Sequence, residues 1–208
     1  MADLLTRLGV PTDIRSWFDI EDSLFTFGDD HEHFGETFHR VPTTKNLWTA
    51  GNHQSPEVII TFSAMEAVAY LTLNCHLYSK PYNLLFIAIG NLPHSWQLEW
   101  IRLRYKNRKF TLVLGKDLLG RLCDVFIAAR ICNKVIKMTY TDAMVKMSYR
   151  GNSHIFDPET ITLGKVERVL GIRTRIRTKK PASANSFLEQ LSIAAQVRPE
   201  KCAQICEK

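Results

Sequence analysis

The chain has 208 residues, of which 45% are hydrophobic and 23% are charged, and these are ordinary values for a globular protein. Its formal net charge of +6 is compatible with a nucleic-acid partner, although a basic balance alone does not require one. No apolar run approaches the roughly 20 residues of a membrane-spanning helix, and no secretory signal is visible. The five cysteines, which are unclustered and lack a CxxC spacing, predict free thiols in a reducing compartment: Cys75, Cys123, Cys132, Cys202 and Cys206. We therefore expect a soluble cytoplasmic protein with no membrane partner.

Residues 1–55 alternate aromatic side chains with acids, histidines and glycines, without a sustained period. We interpret this segment as an extension that packs against a sheet rather than as an independent domain. It holds one concentration of metal-ligand types, namely Asp29, Asp30, His31, His33 and His39. These residues lack the regular spacing of most zinc sites, so a polar loop between short hairpin strands is favoured over a metal site.

The pattern changes at Pro56, where β-branched residues predict a buried strand over Val58–Phe62. Ser63 and Glu66 then have the S-x-x-E form of a capping box, followed by apolar residues at helical spacing. The next predicted strand is Leu84–Ile89, which ends at a Gly-Asn-Leu-Pro turn. A helix that contains Trp96, Trp100 and Leu103 is expected to run to about Tyr105.

A third predicted strand, buried over Phe110–Leu114, is followed by a break at Gly115 and Lys116, and Asp117 stands where an N-cap belongs. Leucine, valine, phenylalanine and alanine recur behind it at helical spacing. Residues 135–139 predict a further strand. Strands that alternate with helices predict a mostly parallel sheet with right-handed crossovers, and carboxyl ends of parallel strands are where such sheets bind ligands.

After Thr141 the sequence predicts a hairpin, in which residues 144–149 and 154–156 flank a turn at residues 150–153. Residues 165–170 predict a helical turn, residues 172–178 an extended segment, and residues 186–195 an amphipathic helix. The expected organisation is therefore an extension over 1–55, an α/β core over 56–140 and a C-terminal region over 141–208 with the hairpin, a basic strand and the last helix.

Two strand-helix junctions of the core resemble the Toprim domain of bacterial-type primases, topoisomerases and mobile-element proteins. Residues 58–70 (VIITFSAMEAVAY) are similar to its first motif, a strand that ends in Glu before a helix of the form E-S/G-x-x-D-A-L-S. Residues 110–121 (FTLVLGKDLLGR) are similar to its second motif, D-x-D-x-x-G-R. Gly90 and Asn91 match its middle glycine turn, and residues 183–191 loosely match a K-D-W-N-x-x-L tail of the primase-like, mobilisation-associated branch. The resemblance implies a Rossmann-like sheet flanked by helices, with α+β extensions.

The departures from the family pattern bear directly on catalysis. In the family, the first-motif Glu acts as general acid/base and the paired Asp residues hold Mg²⁺. Here the Glu position is Phe62 and the first Asp position is Gly115, so the resemblance implies a degenerate, non-enzymatic site without a cofactor. Asp117 stands at the second Asp position and Glu66 at the later helix-borne Asp, which leaves them as residual catalytic candidates. Asp117 is also the remaining Mg²⁺-ligand candidate.

Each surviving polar residue also has a structural interpretation. Glu66 is favoured as a capping-box partner of Ser63, and Asp117 as an N-cap. Lys116 and Arg121 are candidates for binding an anion at the helix N-terminus, or are ordinary solvated side chains.

Two basic runs are candidates for contact with nucleic acid. Arg173, Arg175, Arg177 and Lys179 alternate with uncharged residues, and Lys180 follows them. On a strand, this alternation places four cations on one face at a spacing of about 6.6 Å. The other run follows the tryptophan-bearing helix and comprises Arg102, Arg104, Lys106, Arg108 and Lys109. Trp100 or Tyr105 could stack bases beside it, although core packing is favoured for Trp100.

We hypothesise a catalytically degenerate Toprim-like module that binds DNA, RNA or a partner protein in replication or mobilisation of a bacterial mobile element. One alternative is a metal-dependent nuclease or primase-type enzyme that uses Asp117, Glu66 and the cluster at residues 29–33. Another is a protein-interaction domain without nucleic acid.

Overall fold

The computed structural model describes residues 4–20, 24–78 and 83–203. The elements in chain order are α1 (Leu4–Arg7), α2 (Thr12–Trp17), β1 (Leu24–Phe27), β2 (Asp30–Phe34), β3 (His39–Arg40), β4 (Trp48–Gly51), β5 (Glu57–Thr61), α3 (Ala64–Asn74), β6 (Leu85–Ala88), α4 (Ser95–Arg104), β7 (Lys109–Val113), α5 (Leu118–Ile131), β8 (Lys137–Thr141), β9 (Met144–Tyr149), β10 (Asn152–Phe156), α6 (Leu163–Leu170), β11 (Arg177–Lys179) and α7 (Phe187–Ala203). Short 3₁₀ turns lie at Cys75–Leu77 and Pro158–Thr160.

The central sheet has five strands in the order β11-β7-β5-β6-β4. Strands β5, β6, β7 and β11 run parallel, and β4 pairs antiparallel with β6 at one edge. The three inner strands are mostly apolar because both faces of the sheet are covered, and the polar side chains buried on them include Thr61 and Thr111. The prediction of a mostly parallel sheet flanked by helices is confirmed at the level of a mixed α/β fold.

Two apolar layers enclose the central sheet. One face packs against α1, α2, α3, α7 and the small sheet β1-β2-β3, through residues such as Ile59, Val113 and Phe187. The other face packs against α4, α5, α6 and the antiparallel sheet β8-β9-β10, through residues such as Ile60 and Leu112. Helices α3 and α5 therefore leave neighbouring strands, β5 and β7, toward opposite faces.

The structure corrects the prediction for residues 135–139. Strand β8 is the edge of the antiparallel sheet β8-β9-β10 and does not belong to the central sheet. Its side chains are mostly exposed, whereas an inner parallel strand would be buried on both faces. The central sheet instead recruits β4 from residues 1–55 and β11 from residues 141–208, so it crosses both of the predicted boundaries.

The hairpin prediction is confirmed, because β9 and β10 pair antiparallel around Arg150 and Gly151, which both have positive φ. Helices are also confirmed where residues 165–170 and 186–195 predicted them, as α6 and α7. Helices α1 and α2 were not predicted. None of the helices in the described ranges is both long enough and apolar enough to cross a bilayer. Cys75, Cys123 and Cys132 carry free thiols, whereas Cys206 and the side chain of Cys202 lie outside the described residues.

Candidate functional site

A crevice lies at the carboxyl ends of β5 and β7. Strand β5 continues through α3 to β6 on one side, and β6 then returns through α4 to β7 on the other side of β5. The chain thus reverses its direction across the sheet between β5 and β7, and such a switch point is where open α/β sheets place ligands. A cavity of about 280 Å³ occupies this position. Its polar lining comprises His39, Ser63, Glu66, Asn91, Asp117, Asn185 and Ser186.

Phe62 and Gly115, which stand where the Toprim pattern has Glu and Asp, both line this crevice. Thr61 pairs with Val113 in the parallel ladder, so Phe62 and Gly115 follow at adjacent strand ends, and both line the cavity. A Cβ atom on Gly115 would lie 3.0 Å from the Asp117 carboxylate and 3.3 Å from the carbonyl oxygen of Asn185. A second Asp at this position would therefore crowd both groups. The Lys116 amide donates to the same Asn185 carbonyl at 2.9 Å, so the segment before α7 closes over the turn.

Glu66 binds the amino end of α7. Ser63 accepts a hydrogen bond from the Glu66 amide at 3.0 Å, which confirms the N-cap half of the predicted capping box. The reciprocal half is wrong, because the Glu66 carboxylate instead accepts from the amides of Phe187 at 3.0 Å and Leu188 at 3.2 Å. Burial raises the pKa of Glu66, against the opposing effect of its hydrogen bonds from Ser186, Leu188 and Phe187. Glu66 is thus a tertiary cap for a helix that begins more than a hundred residues later.

Asp117 is the N-cap of α5, as the sequence predicts. Its carboxylate accepts from the amide of Gly120 at 2.8 Å. Gly120 in turn allows the turn to close, because a Cβ atom there would lie 2.2 Å from the carbonyl oxygen of Gly115. Gly120 therefore has a steric role in this chain, and Asp117 has a structural role as the cap of α5.

Glu32 is a buried carboxylate beside the crevice that the sequence interpretation missed. It is fully buried, and its carboxylate accepts from the amides of Ala64 at 2.7 Å and Met65 at 3.0 Å, at the start of α3. His39 lies 2.9 Å from the same carboxylate and lines the cavity. The small sheet is thereby fixed to the amino end of α3. Alternation along β2 was the available signal, because it places Glu32 on the inward side between exposed His31 and His33.

Lys180 lies inward. Its ammonium contacts Asp124 at 2.7 Å and donates to the carbonyl oxygen of Gly115 at 2.7 Å. Asp124 is 2% exposed, and burial raises its pKa to about 6 although Lys180 opposes the shift. Lys180 therefore stabilises the turn after β7 and, in this conformation, is not available to a phosphate.

The two anion-binding candidates also contact the protein itself. Lys116 donates from its ammonium to the carbonyl oxygen of Ala182 at 2.9 Å. Arg121 donates to the carbonyl oxygen of Glu159 at 2.9 Å. The described lining of the crevice contains neither side chain. Both residues thus connect the β7–α5 junction to neighbouring segments.

The His/Asp cluster does not join the crevice. Asp29, Asp30, His31 and His33 line a separate surface depression with Arg40, while His39 alone reaches the crevice. Across the described ranges, no three His, Cys, Asp or Glu side chains are arranged to hold a metal ion. The carboxylates that the enzymatic alternative would combine are therefore divided between two places.

The first basic run is only partly a strand. Strand β11 covers Arg177–Lys179, and Arg175 has a φ of 60°, which interrupts the extended backbone that was predicted for residues 172–178. Exposure alternates from Ile172 to Arg177 and then stops, because Thr178 is exposed like its neighbours. Arg173, Arg175, Arg177 and Lys179 are exposed, whereas Ile172 and Thr174 are buried and Ile176 is half-buried. We call these four cations the basic ribbon.

The second basic run surrounds the carboxyl end of α4. Arg108 donates to the backbone carbonyls of Gln54 and Ser55, which fixes it to the protein. Arg102 lies 3.4 Å from Glu99, and Arg104 hydrogen-bonds with Tyr105. Lys106 and Lys109 are exposed. Trp100 is 37% exposed, so the predicted core packing of this residue is only partial.

The amino ends of three helices meet the crevice, and each is satisfied by a side chain of the protein. Glu32 and Ser63 cap α3, Asp117 caps α5, and Glu66 caps α7. Since these carboxylates already accept backbone hydrogen bonds, they are not arranged as free ligands for Mg²⁺. They also neutralise the helix ends that would otherwise attract phosphate.

Comparison of the chain with protein-family profiles, with curated proteins and with solved structures finds no match.

Proposed function

We propose that this chain is a Toprim-like scaffold that has lost its catalytic carboxylates and binds nucleic acid without an enzymatic step. Support for the scaffold comes from the parallel pairing of β5 with β7 and from the position of Phe62 and Gly115 at the switch point. A phenyl ring can neither ligate a metal nor transfer a proton, and a glycine has no side chain. The resemblance to the Toprim domain favours a role in replication or mobilisation of a bacterial mobile element.

The observation that carries nucleic-acid binding is the basic ribbon. Its four cations are exposed, and none of them forms an ion pair with a carboxylate among the described residues. No acidic residue occurs between Gly171 and Ser186. A strand edge that displays cations without counter-charges attracts a polyanion, and neutralising its phosphates releases bound counterions.

The register of β11 determines the face of the central sheet on which two of the four cations, Arg177 and Lys179, lie. Arg177 pairs with Thr111 and Lys179 pairs with Val113, so both side chains project on the face of the sheet that packs α3 and α7. Exposed cations also protect an edge strand against pairing with another chain. The two roles differ in what they predict, because only nucleic-acid binding depends on salt.

The test is fluorescence anisotropy with a labelled oligonucleotide over a range of salt concentrations. Four phosphate contacts predict a slope of log K against log salt of about −3 to −4. The charge reversals Arg173→Glu, Arg175→Glu and Arg177→Glu together should abolish retention at low salt. A matched control reverses Lys137, Lys146 and Arg168, which are exposed cations outside the ribbon, and it should retain most of the affinity.

If the two triple variants lose affinity equally, the effect is one of net charge, and the basic ribbon is refuted as the binding site. If the wild-type chain binds no oligonucleotide at low salt, nucleic-acid binding is refuted. A protein partner would then be the better hypothesis.

A metal-dependent enzyme is the second candidate, because Glu66 and Asp117 line the same cavity. It predicts tight Mg²⁺ or Mn²⁺ binding by calorimetry that Asp117→Ala abolishes. Our proposal predicts that neither the wild type nor the variant binds these ions tightly, since both carboxylates accept backbone hydrogen bonds. Tight binding that depends on Asp117 would favour the enzyme.

A further inference from the structure

An exposed apolar stripe runs along α4 and the turn before it. Leu92 is 46% exposed, Trp96 56%, Trp100 37% and Leu103 51%. The opposite side of α4 is buried through Gln97, Leu98 and Ile101, so the stripe is not a core face that lacks a neighbour within the fold. Two exposed tryptophans one helical turn apart indicate a binding surface.

Within the stripe, the Trp100 ring packs against the buried residue Tyr105. The Trp100 ring lies 5.8 Å from that of buried Tyr105 at an interplanar angle of 76°. Tyr105 in turn stacks on His53, with ring centroids 6.3 Å apart, and its hydroxyl lies 2.9 Å from the His53 ring nitrogen Nδ1. The Trp100 ring is therefore preorganised, which lowers the entropy that a ligand must remove on binding.

Cations lie beside the stripe. A small cavity of about 140 Å³ between α4 and the end of α5 is lined by Arg102, Arg130 and Lys134, together with one carboxylate, Glu99. The Arg130 guanidinium lies over the ring of Phe126 at 5.4 Å, which fixes its position. Arg104 is exposed on the other flank of the helix. Three cations against one carboxylate favour a phosphate in this cavity.

We infer that α4 is a platform for single-stranded nucleic acid, with bases stacked on Trp96 and Trp100 and a backbone phosphate in the cavity of Arg102, Arg130 and Lys134. This inference rests on the proposed function and specifies the form of nucleic acid. Single strands expose the faces of their bases, whereas in a duplex the bases stack on one another. Side chains at i and i+4 lie about 5–6 Å apart, which suits neighbouring bases.

The charge pattern decides between this ligand and a protein partner of apolar character. An apolar protein surface would leave the cations of the cavity without counter-charges, whereas a nucleic-acid strand supplies both rings and phosphates. Glu99 lies between the stripe and the cavity, where it pairs with Arg102 at 3.4 Å. It competes with a phosphate for Arg102, so Glu99→Gln should tighten binding.

The experiment compares a labelled oligothymidine of about 12 nucleotides with a hairpin duplex of similar charge, by anisotropy. Trp96→Ala should weaken binding of the single strand by about 5- to 150-fold, leave its salt slope unchanged and leave the duplex unaffected. Leu103→Ala is the matched control, because it removes apolar area from the same face but no ring. It should change the affinity by less than about twofold. Arg130→Ala should reduce the salt slope for the single strand by about 0.7.

The outcomes separate this inference from the proposed function. If the ribbon triple variant loses binding but Trp96→Ala does not, the proposed function stands and the platform is refuted. If Trp96→Ala and Leu103→Ala weaken the single strand equally, the face is merely apolar, and the platform is again refuted. If Trp96→Ala selectively weakens the single strand while the ribbon variant has no effect, the platform stands and the ribbon does not. Thermal melts of each variant, which should match the wild type because Trp96 is exposed, exclude unfolding as the cause.

Discussion

Replacing Glu32 tests whether a buried carboxylate holds the small sheet to the crevice. Glu32→Ala removes the acceptor for the amides of Ala64 and Met65 and the partner of His39. Each buried N–H that is left without an acceptor costs about 1–3 kcal/mol, and loss of a helix cap costs about 0.5–2 kcal/mol. Because two such amides lose their acceptor, we expect the free energy of unfolding to fall by about 3–5 kcal/mol.

Two further variants separate the cap from the charge. Glu32→Gln keeps one oxygen that can accept from a helix amide, so we expect a smaller loss of about 1–2 kcal/mol. Glu36→Ala is the matched control, because Glu36 lies in the connection between β2 and β3, its side chain is 63% exposed, and it pairs with Arg7 at the surface. Exposed ion pairs contribute about 0–1 kcal/mol.

The assay is urea unfolding followed by circular dichroism, with thermal unfolding as a second measurement. For a chain of this size, each kcal/mol shifts Tm by roughly 2–4 °C, so Glu32→Ala should lower Tm by roughly 6–20 °C. If Glu32→Ala and Glu36→Ala differ by less than about 0.5 kcal/mol, the buried carboxylate does not fix α3, and our account of how the crevice is assembled is wrong.

Three further predictions concern the turn after β7 and its surroundings. Gly120→Ala should lower the free energy of unfolding by about 1–3 kcal/mol, because its Cβ would lie 2.2 Å from the Gly115 carbonyl oxygen. Gly164→Ala is the control in α6, where the space around the residue is open, and it should raise the free energy of unfolding by up to about 1 kcal/mol. Chemical denaturation of the two variants would contradict this if both changed stability in the same direction. Asp117→Ala should cost about 1 kcal/mol by loss of the α5 cap and Asp117→Ser much less, and equal losses in the same assay would argue against capping. The raised pKa of Asp124, about 6 against an ordinary 3.8, means that the folded protein binds this proton more tightly, so its contribution to stability is full below about pH 4 and is lost as the pH rises through 6. Relative to Asp124→Asn, the wild type should therefore gain up to about 3 kcal/mol between pH 7 and pH 4, and a difference that stays constant with pH would contradict the assignment.

Local patterns in the sequence predict the inner elements of this fold well. The run at residues 110–114 and the N-cap at Asp117 are visible because a buried strand and a capped helix leave their signals within a few residues. The turn at Arg150 and Gly151 is visible for the same reason. In contrast, a short apolar run does not reveal which sheet it joins, which is why residues 135–139 were assigned to the parallel sheet.

The contacts that assemble the site could not be predicted, because they join residues that are distant in sequence. Glu66 caps a helix that begins 121 residues later, and Glu32 caps one that begins 32 residues later. Lys180 follows four exposed cations and looks like a fifth, but it turns inward to Asp124. For Glu66, the local sequence offers Ser63 as a sufficient alternative partner, and only the tertiary arrangement decides between them.

The strand order of the central sheet constrains when the fold can be completed. Strand β7 is an edge strand until β11 pairs with it. The start of β11 at Arg177 lies 64 residues after the end of β7 at Val113. During synthesis, the backbone groups along one side of β7 therefore remain unpaired for several seconds, at about 5–20 residues per second. An open edge of this kind recruits other strands, so this interval is when the nascent chain is most exposed to aggregation and to chaperones.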